Sequence, residues 1–77
     1  MVQAYVLIQT EVGKSSSVAE SIRQLAGVVA TDEVTGPYDI ICKLEAGSVE
    51  DLGMLVLAKV QEVSGITRTL TCTVVHA

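Results

Sequence analysis

The chain contains the same structural pattern twice within 77 residues. Residues 2–10 alternate and are rich in branched side chains, which is typical of a strand. Apolar residues at helical spacing follow over 18–25, and Gly27 stands where a helix often ends in the left-handed conformation. Residues 28–35 alternate again. The first half of the chain therefore predicts a strand, a helix and a second strand.

The second half follows the same order. Residues 38–45 predict a third strand with these side chains on one face: Tyr38, Ile40, Cys42 and Leu44. A helical apolar stripe precedes Gly65 and consists of Val49, Leu52, Val56, Val60 and Val63. Residues 66–75 predict the last strand. The order β-α-β-β-α-β indicates an α+β fold of the ferredoxin-like type, a four-stranded antiparallel sheet with two helices on one face.

Two serines mark the predicted helix starts. Ser17 and Glu20 have the spacing of a capping box, in which each side chain binds the other's backbone N–H. Ser48 and Asp51 have the same spacing with a shorter acid, which gives a weaker signal. The length of the chain fits one domain covering 1–77.

The apolar content exceeds what one small core needs, since hydrophobic residues make up 49% of the chain and aromatic residues only 3%. The surplus falls on two surfaces. The sheet face away from the helices would show, among threonines, Tyr5, Leu7, Ile41 and Val75. The second helix carries, beside its core stripe, Met54, Leu55, Leu57 and Ala58. Such patches often mark interfaces between proteins. We therefore expect dimers that pair through their sheets and that join into rings through the second helix. The alternative interpretation is that these are scattered apolar residues of an ordinary protein surface.

Charge and hydropathy exclude several classes of protein. The formal net charge is -4 and the basic residues are scattered, whereas nucleic-acid binding needs clustered positive charge. No apolar run is long enough to span a membrane, and the N-terminus lacks the basic and apolar regions of a signal peptide. We therefore expect a cytoplasmic protein that binds neither DNA nor membranes directly.

Catalytic and metal chemistry finds little support. The single histidine, His76, lies next to the C-terminus, so no histidine-based triad or metal site can form within one chain. Cys42 and Cys72 are predicted to face the helices about 10 Å apart, twice the strand spacing, too far for a disulfide. The Gly-Lys-Ser sequence at 13–15 lacks the earlier glycine of a phosphate loop, because Ile8 occupies that position. We expect no enzyme activity, cofactor or metal.

Two stretches carry candidate binding residues. The turn Gly36-Pro37-Tyr38-Asp39 could hold a small zwitterion, because a carboxylate accepts from an ammonium group and backbone N–H groups donate to a carboxylate. The last strand places four threonines on one face, namely Thr67, Thr69, Thr71 and Thr73. Both stretches also have a purely structural interpretation, since Gly-Pro is a common turn and threonine favours strands.

Together these segments resemble the effector-binding domain, or RAM domain, of the Lrp/AsnC family of transcriptional regulators. The resemblance covers essentially the whole chain, through AYVLIQTEVGKSSSVAESIRQLAGV, VTGPYDIICKLEA and LVLAKVQEVSGITRTLTCTVV. Its most specific parts are the turn Gly36-x-Tyr38-Asp39 and the run Gly65-Ile66-x-Arg68-Thr69-x-Thr71.

The resemblance implies sheet-to-sheet dimers, assembled into octamers or similar rings, that bind an effector, typically an amino acid, between subunits. One subunit would line the site with Gly36, Pro37, Tyr38 and Asp39. The remaining contacts, from the same subunit or a neighbour, would be Thr67, Thr69 and Thr71.

Full-length regulators of this family carry an N-terminal helix-turn-helix that binds DNA, whereas this chain begins at its first strand. It therefore resembles the stand-alone members. Such a domain would sense an amino acid and modulate transcription of amino-acid metabolism indirectly, alone or together with a full-length relative. A fragment of a longer regulator is the alternative.

Two other classes share the strand order. A dimeric α/β-barrel enzyme, such as a small monooxygenase, usually needs His, Trp, Phe or Asn in its cleft, and this chain has no Asn, Trp or Phe. An ACT-type sensor also binds amino acids at interfaces, but the Gly-x-Tyr-Asp turn favours the Lrp/AsnC family.

Overall fold

The chain forms one four-stranded antiparallel sheet with its helices on one side, as the repeated pattern predicts. A computed structural model describes residues 1–75. The strands are β1 (Val2–Thr10), β2 (Val28–Glu33), β3 (Ile40–Ala46) and β4 (Ile66–Thr73), and the helices are α1 (Ser15–Arg23) and α2 (Val49–Met54). The strand order across the sheet is β2-β3-β1-β4. The predicted ferredoxin-like fold is therefore confirmed, with β3 and β4 on either side of β1.

The core lies between the sheet and the helices, and we call this side of the sheet the helix face. Alternate residues of the two central strands are fully buried there: Ala4, Val6, Ile8, Ile40, Cys42 and Leu44. Directly opposite residues of an antiparallel pair share a face, and Val6 pairs with Cys42 and Ile8 with Ile40. Helix α1 covers these strands with Val18, Ala19 and Ile22. Short aliphatic side chains thus fill the core, as the composition predicts.

Helix α1 begins three residues earlier than the capping box predicts, with its cap at Lys14 instead of Ser17. Lys14 occupies the cap position without a side-chain hydrogen bond, and the Ser17 hydroxyl donates to the Lys14 carbonyl at 3.0 Å. The predicted Ser17–Glu20 capping box is therefore wrong, because Ser17 already lies inside the helix. After the helix, Gly27 has a φ of 97°, the left-handed conformation predicted there.

The second helix changes its geometry halfway. The Ser48 hydroxyl accepts from the Asp51 backbone N–H at 3.1 Å and begins α2, as predicted. From Leu55 to Val60 the helix continues as a π-helix, which we call the π segment. Three core side chains follow one another at intervals of four residues, namely Leu52, Val56 and Val60. An interval of four is slightly more than one α-helical turn of 3.6 residues and slightly less than one turn of the wider π-helix. The change from α-helix to π-helix therefore keeps all three on the buried side.

The side of the sheet away from the helices, which we call the open face, carries apolar side chains. Tyr5 is 42% exposed and Leu70 is 49% exposed, while Leu7 and Ile41 are half-buried. Leu7 pairs with Ile41 on one side and Leu70 on the other, which forms an apolar row across three strands. The prediction of an apolar open face is confirmed for Tyr5, Leu7 and Ile41, whereas Val75 lies beyond the end of β4.

The phase of β4 differs from the sequence-based expectation by one residue. Thr71 pairs with Val6 and Thr69 with Ile8, so these threonines lie on the helix face rather than on the open face. Cys72 pairs with Tyr5 and is exposed on the open face, which makes its predicted helix-facing position wrong. The reason is that α2 leaves β4 largely uncovered, so the buried pattern that normally fixes the phase of a strand is missing here.

Neither helix within residues 1–75 combines the length and apolar character that a membrane crossing requires. His76, which the sequence places near the C-terminus, lies outside the described residues.

Candidate ligand-binding site

A hollow of about 260 Å³ lies where the turn between β2 and β3 meets the open face. Its lining residues are Leu7, Val34, Thr35, Gly36, Pro37, Tyr38 and Ile41. Leu7 and Ile41 form the part contributed by the sheet, because both belong to the apolar row of the open face. The structure therefore gives the predicted binding turn a concave, mostly apolar surface.

The turn itself is held by backbone hydrogen bonds at its two ends. The Val34 N–H donates to the Asp39 carbonyl at 2.8 Å, and the Asp39 N–H donates to the Ile8 carbonyl at 2.9 Å. Between these points, no backbone acceptor within residues 1–75 receives the N–H groups of Thr35, Gly36 or Tyr38. Pro37 has no N–H group and separates that of Tyr38 from the other two. Backbone N–H groups without a partner in the chain can donate to a carboxylate bound next to them.

The Asp39 carboxylate ties this turn to the end of β1. Its Oδ2 atom accepts from the Thr10 backbone N–H at 2.8 Å and from the Thr10 hydroxyl at 3.3 Å. The Gln9 side chain adds a second tie, since its Nε2 atom donates to the Pro37 carbonyl at 3.4 Å. Asp39 is half-buried, and one of its two oxygens is thus engaged in positioning the turn.

The predicted threonines of β4 lie elsewhere in the same copy. Thr67 stands at an irregularity in the β1–β4 pairing, and its hydroxyl donates to the Gln9 carbonyl at 3.1 Å. The Thr69 hydroxyl accepts from the Gln61 side chain at 3.3 Å. Both line a separate hollow of about 270 Å³ with Gln61, Ile66 and Arg68.

Thr71 belongs to a third depression, which we call the α2 groove. It has a volume of about 250 Å³ and is lined by Val49, Leu52, Gly53, Val56, Leu57, Thr71 and Thr73. Because Thr69 and Thr71 lie on the helix face and the turn hollow opens on the other face, one copy does not bring the two predicted sets together.

Val34 and Thr35 also line the turn hollow, although the sequence-based prediction did not include them. Val34 follows β2 directly and is 37% exposed, and such an exposed apolar residue just before a Gly-Pro turn is a signal that could have been used. Leu7 and Ile41 had been assigned to the open face, but their position beside the turn depends on the strand register. That register is a tertiary property that no local pattern contains.

The Cys42 thiol is buried in the core, and the Cys72 thiol is exposed. Burial raises the pKa of the Cys42 thiol to about 11, against a smaller lowering by a hydrogen bond with the Val6 backbone, so Cys42 stays a protonated core side chain at neutral pH. Within residues 1–75, no group of three or more His, Cys, Asp or Glu side chains is placed to hold a metal ion.

Comparison with known proteins gives a family match over nearly the whole chain. The model of the Lrp/AsnC ligand binding domain matches residues 3–77. An uncharacterised HTH-type transcriptional regulator of Pyrococcus furiosus is 34% identical over 71 residues, which are 88% of this chain and 47% of that protein. The chain thus spans about half the length of this relative.

Solved structures agree in fold. A Thermus thermophilus protein, TTHA0845, superposes with a TM-score of 0.94 at 31% identity and covers 100% of this chain and 96% of that chain. A Neisseria meningitidis transcriptional regulator, solved as a complex with L-Met, superposes with a TM-score of 0.85. At 17% identity, over 97% of this chain and 50% of that chain, the second match shows the fold alone.

Proposed function

The chain belongs to the Lrp/AsnC ligand-binding domain family, and from this premise we propose that it binds an amino-acid effector at the turn between β2 and β3. The observation that carries the proposal is the turn hollow, where unpaired backbone N–H groups lie beside an apolar surface. An α-amino acid needs both features, because its carboxylate requires donors and its side chain requires a shaped pocket. The L-Met complex of the Neisseria regulator supports this class of effector.

Each predicted residue of the turn receives a role in this proposal. The backbone N–H groups around Gly36 and Tyr38 bind the effector carboxylate, and the Pro37 ring forms part of the wall. Asp39 does not itself line the hollow but follows Tyr38, which does. Its Oδ2 atom holds Thr10, and we propose that its other carboxylate oxygen accepts from the ammonium group of an effector that extends past the edge of the hollow. Charge-assisted hydrogen bonds of this kind are stronger than neutral ones.

The proposed roles can be tested by calorimetric titration of the protein with each of the twenty amino acids. Asp39→Asn keeps an oxygen for Thr10 but removes the charge, so we expect effector binding to weaken at least tenfold. Asp51→Asn is the matched control, because Asp51 lies in the first turn of α2. The proposed function fails if no amino acid binds, and the role of Asp39 fails if both variants bind as the wild type does.

We also propose that the working state is a homo-oligomer built on two surfaces. The apolar row of the open face supports pairing of two sheets, since Leu70 is 49% exposed in the single chain. The π segment exposes a second apolar patch at Leu57, which is 66% exposed, and supports the association of dimers. Exposed apolar surface on two separate sides of a small domain is typical of a protein that assembles.

Two matched substitutions separate these surfaces. Leu70→Glu places a charge on the open face and is expected to yield monomers in light scattering. Leu57→Glu places the same charge on the π segment and is expected to yield dimers while preventing larger rings. If both variants keep the wild-type mass, neither surface is an interface.

The threonines of β4 enter the site only through such an assembly. Thr67, Thr69 and Thr71 do not line the turn hollow of their own copy, so we propose that any contact they make with the effector comes from a neighbouring copy. Thr69→Val, which keeps the shape and removes the hydroxyl, would then weaken effector binding in the oligomer and leave it unchanged in the Leu70→Glu monomer.

We propose that residues 1–77 act as one regulatory domain without catalytic activity, whose effector acts on transcription through assembly. Its relatives are HTH-type transcriptional regulators, whereas within residues 1–75 the two helices are separated by strands and form no helix-turn-helix. The net charge of -4 supports an indirect route to DNA. Copurification with a DNA-binding relative, and loss of that association on adding effector, would test this route.

A further inference from the structure

We propose that Arg23 keeps the free edge of β2 from pairing with the edge of β4 in a second copy of the chain. Such pairing would join two sheets edge to edge. It differs from the face-to-face pairing described above and does not depend on effector binding. Three observations support it, namely a contact at the edge of β2, a matching contact at the edge of β4, and the charges of the two strands.

The sheet has two free edges, because β2 and β4 are its outermost strands. An edge strand has backbone N–H and C=O groups without partners, and these groups can pair with a strand of another molecule. Every neighbouring pair of strands in the sheet is antiparallel, so β2 and β4 run in opposite directions. The β4 edge of a second copy could therefore extend the sheet at β2 in the same antiparallel pattern.

The side chain of Arg23 occupies the edge of β2. From the last turn of α1, its Nη2 atom donates to the Thr31 carbonyl at 3.2 Å. This carbonyl points away from β3, and in an antiparallel strand the N–H of the same residue points the same way. An ion pair of 3.6 Å between Nη1 and Glu20 Oε2 holds the guanidinium in addition. Arg23 therefore covers the part of β2 that an added strand would bind.

The second half of the chain contains a matching contact. Gln61 precedes Gly65 by four residues, just as Arg23 precedes Gly27 by four. The Gln61 Nε2 atom donates to the Thr69 hydroxyl of β4 at 3.3 Å. A side chain that follows a helix thus contacts the edge strand in both halves. Because Gln61 binds a hydroxyl and Arg23 binds the backbone, Arg23 gives the stronger protection against an added strand.

Both edge strands also contain a bulge. Val29 in β2 and Thr67 in β4 have no partner in the neighbouring strand, and each is the second residue after a glycine. A bulge increases the local twist of an edge strand and hinders the pairing of another strand. From residue 70 to 73, β4 pairs with β1 without a further irregularity. This part of the β4 edge has no such protection.

The charges of the two strands indicate which edges would pair. Asp32 and Glu33 lie at the end of β2, and two β2 edges side by side would bring their carboxylates together, which is unfavourable. Strand β4 contains no Asp or Glu and carries Arg68. The acidic β2 edge therefore fits the β4 edge of a second copy better than a second β2 edge. Because such a contact uses different surfaces on the two copies, it repeats from copy to copy and forms open polymers.

Light scattering of two matched variants tests the role of Arg23. Arg23→Ala and Lys59→Ala each remove one positive charge from the last turn of a helical segment. We expect wild type and Lys59→Ala to reach a constant mass as the protein concentration rises. The mean mass of Arg23→Ala should instead rise about threefold for each tenfold increase in concentration, as in an open polymer. A constant mass in Arg23→Ala, or equal growth in both variants, would contradict the proposed role.

Two further substitutions separate edge pairing from unfolding. Val29→Lys and Thr67→Lys each place a lysine at an exposed bulge residue of one edge, where it hinders strand pairing. Combined with Arg23→Ala, either lysine is expected to restore the wild-type mass, because every contact in the polymer uses one edge of each kind. Growth that neither lysine suppresses would show that unfolded chains aggregate and would overturn the edge pairing. Growth that only Val29→Lys suppresses would show that two β2 edges pair, which overturns the choice of β4.

Discussion

Both faces of the sheet carry apolar side chains at alternate positions along the strands, but they differ in how far those side chains are buried. On the helix face, side chains such as Val6, Ile8 and Leu44 are fully buried within one copy. On the open face, large apolar residues stay partly exposed, with Leu70 at 49% and the aromatic Tyr5 at 42%. The difference shows that one set of aliphatic residues makes the fold and the other remains available for a partner copy and a ligand.

The two cysteines illustrate the comparison within a single residue type. Cys42 lies on the helix face, where burial raises its pKa to about 11. Cys72 lies on the open face beside Tyr5 and is exposed. Each thiol therefore reports on the solvent access of its own face.

The largest expected effect is a difference in the free energy of unfolding between two leucine-to-alanine variants, one on each face. Leu44→Ala removes a fully buried side chain and is expected to lower the free energy of unfolding by about 2–5 kcal/mol, measured by urea denaturation. Leu70→Ala changes the open face and is expected to cost less than about 1 kcal/mol at the lowest protein concentration. An equal loss in both variants at that concentration would contradict the division between the faces.

A smaller effect comes from titrating Cys42. Because the folded state raises its pKa from 9.0 to about 11, the folded chain holds this proton more tightly than the unfolded chain does. Its contribution to stability is fully present below pH 9 and is lost as the pH rises to about 11. The loss is about 2–3 kcal/mol by linkage. The free energy of unfolding of Cys42→Val, measured by denaturation at a series of pH values, should fall less over that range than that of the wild type. An identical pH dependence in the two proteins would show that the thiol is not the cause.

The smallest expected effect is a difference in alkylation rate between the two cysteines. Iodoacetamide at pH 8 should modify Cys72 at least tenfold faster than Cys42, because only the exposed thiol is accessible to the reagent without unfolding. The peptide masses after digestion give the two rates. If the open face packs against a second copy, Cys72 should also be slowed as the protein concentration rises, whereas the Leu70→Glu variant should show no such slowing.

The sequence predicts the fold well because its two halves contain strong local signals. The period of the apolar residues, together with Gly27 and Gly65, determines the order of the elements and the separation of helix from strand. The central strands are predicted in the correct phase, since Ile40, Cys42 and Leu44 are all buried. Tyr38, which was predicted on the same face, instead precedes β3 and lines the turn hollow. Burial on one face couples such a pattern to the tertiary structure.

The sequence predicts the structure less well where little of a strand or helix is buried, because the apolar pattern is then weak. Strand β4 alternates threonines with mixed residues, and α2 covers little of it, so its phase was assigned to the wrong face. The π segment could not be predicted either, because its apolar spacing of four residues fits an α-helix equally well.

The candidate site was predicted only in part for the same reason. The turn from Gly36 to Asp39 is a local motif, but the walls supplied by Leu7 and Ile41 depend on strand pairing.

The central claim is that the effector binds at the turn on the open face. Amide chemical-shift mapping during titration with the amino acid that binds most tightly in calorimetry tests this most directly, because it reports every backbone N–H at once. We predict the largest changes at Leu7, at residues 34–39 and at Ile41, with the unpaired N–H groups of the turn among them. Changes centred instead on the α2 groove, at Leu57, Thr71 and Thr73, with the turn unaffected, would contradict the claim.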